Sequence, residues 1–193
     1  MEFVTLVAGK GESSEEFGVH KEFACHYSPV LRAAFKSSFV VGRTQTYRFE
    51  EVAIDIVRLL VNWIYTQELH TAHDAEWGEE ACLEDEYLAQ LWVLADKLLI
   101  PSLQNMVKDK IQHRRNKSRS VAIWTLDYVW ANTSGNSPLR RLMRDQCFRF
   151  VGGTCVKKTP QAFPHELLVD LVVMHGDPEE DGLDVDNYEV PEN

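Results

Sequence analysis

Residues 17–29 read Phe-Gly-Val-His-Lys-Glu-Phe-Ala-Cys-His-Tyr-Ser-Pro, and this stretch decides the fold. It opens with a short extended run, Phe17-Gly18-Val19. It closes with Ser28-Pro29, a helix N-cap followed by proline in the first helical turn. Upstream, an apolar and β-branched run over residues 3–8 leads into turn residues, so residues 3–19 predict a β-hairpin. The stretch therefore predicts the point at which a hairpin gives way to helices.

Downstream, the sequence predicts one more strand and a succession of helices. The run Thr46-Tyr47-Arg48-Phe49 is short and rich in β-formers, which predicts a third strand. Apolar residues at i, i+3 and i+4 spacing predict helices. Six helices are predicted in this way. They begin near Ala53, contain Leu88–Leu98, begin at Pro101, cover Val121–Trp130, begin at the Ser137-Pro138 cap, and cover His165–Met174, respectively. A small sheet covered by helical hairpins, followed by additional helices, is an α+β arrangement with one shared core.

The charge is acidic overall and uneven along the chain. The 193 residues include 20 Lys and Arg against 30 Asp and Glu, a formal net charge of −10. This balance argues against coating nucleic acid or binding an anionic membrane. Beyond Lys158 there is no basic residue, and an acid-rich segment with little apolar surface does not order itself. We therefore predict an acidic, disordered tail over residues 176–193.

The cysteines and the N-terminus indicate an intracellular protein. Cys25, Cys82, Cys147 and Cys155 are far apart and form no CxxC pair, which is typical of reduced thiols rather than of a disulfide framework. The N-terminus has no basic region or cleavage site, and no stretch reaches the ~18 apolar residues that span a bilayer. We expect a location in the cytoplasm or nucleus and no membrane partner.

Residues that suggest chemistry have simpler structural explanations. Cys25 and His26 are adjacent, but neighbours on a helix point about 100° apart, so they form no catalytic dyad. Cys25 is expected to be a small core residue. His70 and His73, with nearby acids, are candidate metal ligands, although the spacing of a zinc site is absent. No hydrolase or nucleotide-binding motif is present. We expect no enzymatic activity, no cofactor and no metal.

Two other features leave alternatives open. Basic residues gather between Lys108 and Arg119 at a helix end, where cations favourably face the helix dipole. They bind nucleic acid, or they are solvated and contact the chain's own acidic segments; we expect the second and no nucleic-acid partner. Trp77 lies in an acidic loop, and it either anchors an interface or packs back on the domain.

Three motifs in this order resemble the BTB/POZ domain family. The first is Phe17-Gly18-Val19-His20-Lys21, followed by Ser28-Pro29, Phe35 and Phe39. The second is Trp63-Ile64-Tyr65-Thr66, and the third is Leu94-Ala95-Asp96-Lys97-Leu98 with Ile100-Pro101-Ser102-Leu103. The resemblance covers residues 3–113. It implies a BTB/POZ-like fold for a domain over residues 1–115, which a helical extension over residues 116–175 follows. Its structural signature residues are His20, Lys21, Ser28, Tyr65, Ala95 and Asp96.

The signature residues also imply local contacts. We expect His20 to be a structural histidine that hydrogen-bonds backbone near the start of a helix. We expect Trp63 and Tyr65 to supply large buried area at the end of an apolar helix.

The resemblance further implies a protein–protein interaction module that self-associates or bridges partners. Family members that bind a cullin scaffold often have a hydrophobic residue, any residue and then Glu in the loop that here follows Phe39. Phe39 fits the first position, but Val41 stands where the Glu would be. A lost interfacial carboxylate commonly costs a few kcal/mol at a desolvated position. The interface candidates are Phe35, Phe39, Val41 and Trp77.

Two functions remain open. One is an adaptor of a cullin-RING ubiquitin ligase, favoured by Phe39 and by helices at 120–151, where cullin-binding members add a helical hairpin. The other is a plain oligomerisation or transcription-regulatory interaction protein with no ligase link, favoured by Val41 and by the lack of a recognition domain. Many family dimers exchange an element that precedes the first core strand. This chain starts at that strand, so we expect any homodimer to be small.

Overall fold

The computed structural model describes residues 2–70, 78–176 and 188–192. The described strands are β1 (Phe3–Ala8), β2 (Glu15–His20) and β3 (Thr46–Phe49). The described α-helices are α1 (Lys21–Tyr27), α2 (Pro29–Lys36), α3 (Val40–Thr44), α4 (Ile54–Thr66), α5 (Glu79–Lys97), α6 (Pro101–Ser118), α7 (Leu126–Asn132), α8 (Pro138–Phe150), α9 (Gly153–Lys158) and α10 (His165–Gly176). The fold is α+β, as predicted.

The three strands form one sheet in the order β2-β1-β3. β1 pairs antiparallel with β2, with Phe3 opposite His20. It pairs parallel with β3, with Thr5 opposite Thr46. Parallel neighbours need a crossover connection, and α1, α2 and α3 supply it. The predicted hairpin and third strand are confirmed.

The described residues fall into two compact units. The first lies within Met1–Ala72 and Gln90–Val107, and the second within His73–Ala89 and Lys108–Asn193. The two long helices α5 and α6 contribute residues to both units. The predicted domain boundary at residue 115 differs from this division and stays a prediction about the family domain.

The core of the first unit joins the sheet to the helices around it. Leu6 in β1, Leu31 in α2 and Leu60 in α4 are fully buried. At the start of β1, exposed Phe3 and half-buried Thr5 alternate with buried Val4 and Leu6, because successive strand residues point to opposite faces of the sheet. The core of the second unit is helical, with buried residues such as Leu126, Leu139 and Leu167.

The start of α2 is capped as the sequence predicts. The Leu31 N–H donates to Oγ of Ser28 at 3.1 Å, and Pro29 occupies the first helical turn. Ser28 Oγ in turn donates to the Leu98 carbonyl at 2.7 Å. A single buried hydroxyl therefore satisfies the beginning of α2 and the end of α5.

Three helical segments differ from the predictions. The helix expected over Val121–Trp130 begins with a 3-10 turn at Ile123–Thr125 and continues as α7. The short helices α3 and α9 were not predicted. Both contain glycine and have no buried residue, so apolar periodicity could not reveal them. Helices this short depend on tertiary context rather than on propensity.

The tail departs from the predicted disorder at its end. Residues 177–187 lie outside the described part of the chain. Tyr188, however, is buried, and its hydroxyl donates to Asp145 at 2.7 Å. The disorder predicted for residues 176–193 is therefore wrong at Tyr188. Acid content alone does not exclude order where an aromatic side chain supplies apolar area and a polar group supplies its partner.

Within residues 2–70, 78–176 and 188–192, no helix is long and apolar enough to cross a membrane.

Candidate interaction surface

The connection between α2 and β3 exposes two neighbouring apolar side chains. Phe39 is 78% exposed and Val40 is 62% exposed, whereas Val41 is half-buried. We term Phe39, Val40 and Val41 the Phe39 segment. A large aromatic side chain in this position exposes apolar surface that a partner protein can bury.

Close backbone packing holds the Phe39 segment in place. A Cβ at position 42 would lie 1.7 Å from the carbonyl oxygen of Ser37, so only glycine permits this approach. Gln45 has a left-handed backbone with φ of 53°. Its Nε2 donates to the Phe35 carbonyl at 3.1 Å and to the Gly42 carbonyl at 2.5 Å. The segment is therefore pre-organised, which reduces the entropy lost on binding.

Of the other interface candidates, Phe35 belongs to the core and Trp77 lies outside the described residues. Phe35 is 2% exposed, and its ring centroid lies 6.4 Å from that of Tyr47. It shares the inner face of α2 with Leu31, four residues earlier, which is also buried. The prediction of an interface role for Phe35 is therefore wrong. That for Trp77 stays a prediction.

His20 and Tyr65 form a hydrogen-bonded pair between β2 and α4. The Tyr65 hydroxyl accepts the backbone N–H of His20 at 2.9 Å and lies 2.8 Å from Nδ1 of the same residue. The side-chain partner of His20 is therefore a phenol rather than the backbone that we expected, and its role as a structural signature residue stays a prediction. Tyr65 is 43% exposed, whereas Trp63 is buried. The expected burial of Tyr65 is wrong because its hydroxyl reaches His20 at the surface.

Three exposed aromatic side chains surround His20. Phe3, Phe23 and Tyr65 are all exposed. The ring centroids of Phe3 and His20 are 4.3 Å apart, and those of Phe23 and Tyr65 are 5.4 Å apart. We term these three side chains the aromatic patch. Sequence reasoning missed it, although strand alternation places Phe3 on the face opposite buried Val4.

The remaining signature residues make local contacts in the first unit. Lys21 Nζ lies 3.0 Å from a carboxylate oxygen of Glu2. Asp96 Oδ1 accepts a hydrogen bond from Gln104 at 3.1 Å, and Ala95 is fully buried. Lys21 and Asp96 therefore contact residues of the same unit, and Ala95 belongs to its core.

Cys25 and His26 make separate local contacts. Burial raises the pKa of the Cys25 thiol, although Lys21 and other cations nearby lower it. The higher pKa keeps the thiol protonated, and a protonated thiol is a poor nucleophile. The ring centroids of His26 and Tyr27 are 4.7 Å apart.

The metal-ligand candidates are only partly described. His70 Nε2 lies 2.7 Å from Glu68, and His73 lies outside the described residues. Among the residues that the structure does describe, no group of three His, Cys, Asp or Glu side chains could hold a metal ion.

The basic run at the end of α6 contacts acidic residues of the same chain. Lys108 is bonded to Glu189 and lies 3.2 Å from Asp109. Arg114 donates to Glu84 at 2.6 Å and to Asp85 at 2.7 Å. The prediction that these cations contact the chain's own acidic residues is confirmed at both positions.

Comparison with known proteins identifies one family. The sequence model of the BTB/POZ domain matches residues 4–115. Among solved structures, the chain is similar to the BTB domain of human gigaxonin, with 19% identity, 55% of this chain and 75% of that chain covered, and a TM-score of 0.40. It is also similar to the BTB domain of zebrafish PATZ1, with 18% identity, 56% and 75% coverage, and a TM-score of 0.40. No curated protein matches the chain.

Proposed function

Because the chain belongs to the BTB/POZ domain family, a family of protein–protein interaction modules, we propose that it bridges partner proteins through the Phe39 segment. The observation that supports this proposal is the exposure of Phe39 and Val40 on a segment fixed by Gly42 and Gln45. Aromatic anchors on rigid backbone are typical of residues that dominate binding energy. BTB domains are typically not enzymes.

The partner to test first is the N-terminal domain of a cullin. Phe39 occupies the hydrophobic position that cullin-binding members use. Exposure of its ring supports that role, because a buried ring would have to be expelled before it could anchor a partner. Val41 lacks the carboxylate of those members, which predicts weaker binding than theirs. In this proposal the chain is an adaptor of a cullin-RING ligase with reduced affinity for its scaffold.

The proposal is tested by titrating the purified chain and its variants against a cullin N-terminal domain by calorimetry. We expect Phe39→Ala to weaken binding by at least about 30-fold, since removal of an aromatic hot spot commonly costs more than 2 kcal/mol. Val41→Glu should tighten binding by restoring a carboxylate. Val172→Ala is the matched control, because Val172 is an equally exposed apolar residue on α10. It should bind like the unaltered chain.

Absence of binding by both the unaltered chain and Val41→Glu would reject the cullin partner. Binding that Phe39→Ala leaves unchanged would reject the Phe39 segment as the contact surface. Binding gained only by Val41→Glu would mean that the native sequence does not recruit the scaffold, and the adaptor role would be abandoned.

A second candidate function is self-association without a ligase partner. The aromatic patch supports it, because three exposed rings lie together on elements that differ from the Phe39 segment. Patches of this kind are typical of homodimer interfaces. The two functions need different surfaces, so substitutions in one surface distinguish them from each other.

A further inference from the structure

The end of the tail lies against the helices of the second unit in a specific way. Tyr188 is 3% exposed, and its hydroxyl donates to Oδ2 of Asp145 at 2.7 Å. Burial raises the pKa of the Tyr188 phenol, and the bond to Asp145 raises it further. The contact therefore requires the protonated phenol, which acts as the donor.

The residue next to Tyr188 satisfies a buried cation. Lys108 on α6 is 2% exposed, yet its ammonium is bonded to the Glu189 carboxylate and lies 3.2 Å from Asp109. Burial by itself lowers the pKa of Lys108, but the hydrogen bonds to the two carboxylates raise it above its ordinary value. A lysine this buried needs a partner to stay charged, and the tail provides one.

Asp145 is also held in position for the phenol. Arg144 donates its Nε–H to Oδ1 of Asp145 at 2.8 Å, which leaves Oδ2 to accept from Tyr188. We term the site formed by Lys108, Arg144 and Asp145 the tail recess. Asp145 provides an acceptor for a hydroxyl, and the buried ammonium of Lys108 provides a partner for a carboxylate. This pair of groups matches a tyrosine followed directly by an acidic residue.

We propose that the tail recess is a peptide-docking site, which the chain's own Tyr188-Glu189 occupies and for which a partner segment with tyrosine followed by Glu or Asp competes. The tail serves as the bound ligand from which the partner's chemistry is inferred. The partner segment supplies a phenol hydroxyl to Asp145 and a carboxylate to Lys108. This site lies apart from the Phe39 segment in sequence and does not depend on the cullin proposal.

The tail limits how tightly a partner binds. The tail belongs to the same chain as the recess, and contacts within one chain are favoured by a high effective concentration. A partner segment must displace the tail before it binds, so its apparent affinity is lower than its intrinsic affinity. Any change that releases the tail should therefore strengthen binding of the partner.

The test is binding of a fluorescent peptide with the sequence of residues 184–192, measured by anisotropy on the full chain. A variant with Tyr188→Ala and Glu189→Ala vacates the recess, and we expect it to bind the peptide at least about tenfold more tightly than the unaltered chain. Peptides with Tyr188→Phe or Glu189→Gln should each bind the vacated chain several-fold more weakly. Because these changes are in the peptide, they cannot unfold the protein.

Two further measurements test the same contacts independently. Lys108→Glu in the vacated chain should abolish binding of the native peptide, and a peptide with Glu189→Lys should restore it. The second measurement uses the unaltered chain, without substitutions. Excess isotope-labelled peptide should speed hydrogen exchange in residues 188–192 of the protein, because the peptide displaces the tail.

Three results would overturn the proposal. The first is no peptide binding by a vacated chain that keeps its helical circular dichroism, together with unchanged exchange in the unaltered chain. The second is binding that is insensitive to both peptide substitutions. The third is self-association of the unaltered chain that the vacated variant loses, since the recess would then serve tail exchange between two copies.

Discussion

Single buried polar side chains determine several backbone contacts of this protein. Ser28 is fully buried, yet its hydroxyl both accepts from the Leu31 N–H and donates to the Leu98 carbonyl. Gln45, which is half-buried, joins the end of α2 to α3 through its amide. In each case one side chain bonds two backbone groups, and this geometry depends on the identity of that residue.

Ser28→Ala should lower the free energy of unfolding by about 2–3 kcal/mol, because it removes an N-cap and leaves two backbone groups unpaired. The measurement is urea denaturation followed by circular dichroism. Ser38→Ala is the matched control, because Ser38 is exposed, and it should change stability by less than about 0.5 kcal/mol. Equal effects of the two substitutions would contradict the dual role of the Ser28 hydroxyl.

The elements of the second unit are joined by ionic contacts as well as apolar ones. Arg114 near the end of α6 donates to Glu84 and Asp85 near the beginning of α5, and also to the Ala81 carbonyl at 2.9 Å. Glu84 is almost completely buried. A buried carboxylate is costly unless it is paired, so this arginine fixes the position of the first turns of α5.

Arg114→Met should release the beginning of α5. Removal of one partner of a buried ion pair commonly costs about 3–5 kcal/mol, because the other charge stays buried. Hydrogen exchange followed by mass spectrometry should therefore show amides of residues 79–89 exchanging at least about 100-fold faster. Adding Glu84→Gln to this variant should recover part of the protection. An exposed arginine, Arg43→Met, serves as the control and should leave these amides unchanged.

Elements with a periodic apolar pattern could be predicted from the sequence, and those held by specific backbone and side-chain contacts could not. The hairpin, β3 and α4 follow from alternation, β-formers and i, i+3, i+4 spacing. Helix α3 was missed because its five residues depend on the approach of Gly42 to Ser37 and on Gln45.

The candidate site was predicted only in part for the same reason. Phe39 was identified by its place in a motif, and its side chain is exposed. Phe35 was assigned wrongly because an aromatic side chain on a helix can face either side. The aromatic patch joins β1, α1 and α4, and no local pattern indicates that these three elements meet. Tyr188 was missed because the acidic composition of the tail predicts disorder.

At the scale of the whole molecule, the Phe39 segment and the aromatic patch are exposed apolar surfaces on a chain with a large excess of acid. The net charge of −10 makes copies of the chain repel one another at low salt, because the Debye length is then long. Association through the aromatic patch must overcome this repulsion. The cost falls as salt screens the charges, whereas burial of aromatic rings is not weakened by moderate salt.

Self-association through the aromatic patch should therefore increase with salt. Sedimentation equilibrium of the unaltered chain should show a monomer–dimer equilibrium that shifts toward dimer between about 20 and 200 mM NaCl, as the Debye length shortens from ~20 Å to ~7 Å. Phe23→Asp should keep the chain monomeric at both concentrations, because it places a carboxylate among the rings of the patch. Phe3→Asp tests the same surface from β1, where the side chain is more exposed.

Phe39→Ala is the control and should dimerise like the unaltered chain. A monomer under all conditions, or a dimer that Phe39→Ala disrupts and Phe23→Asp does not, would exclude the aromatic patch as the site of self-association.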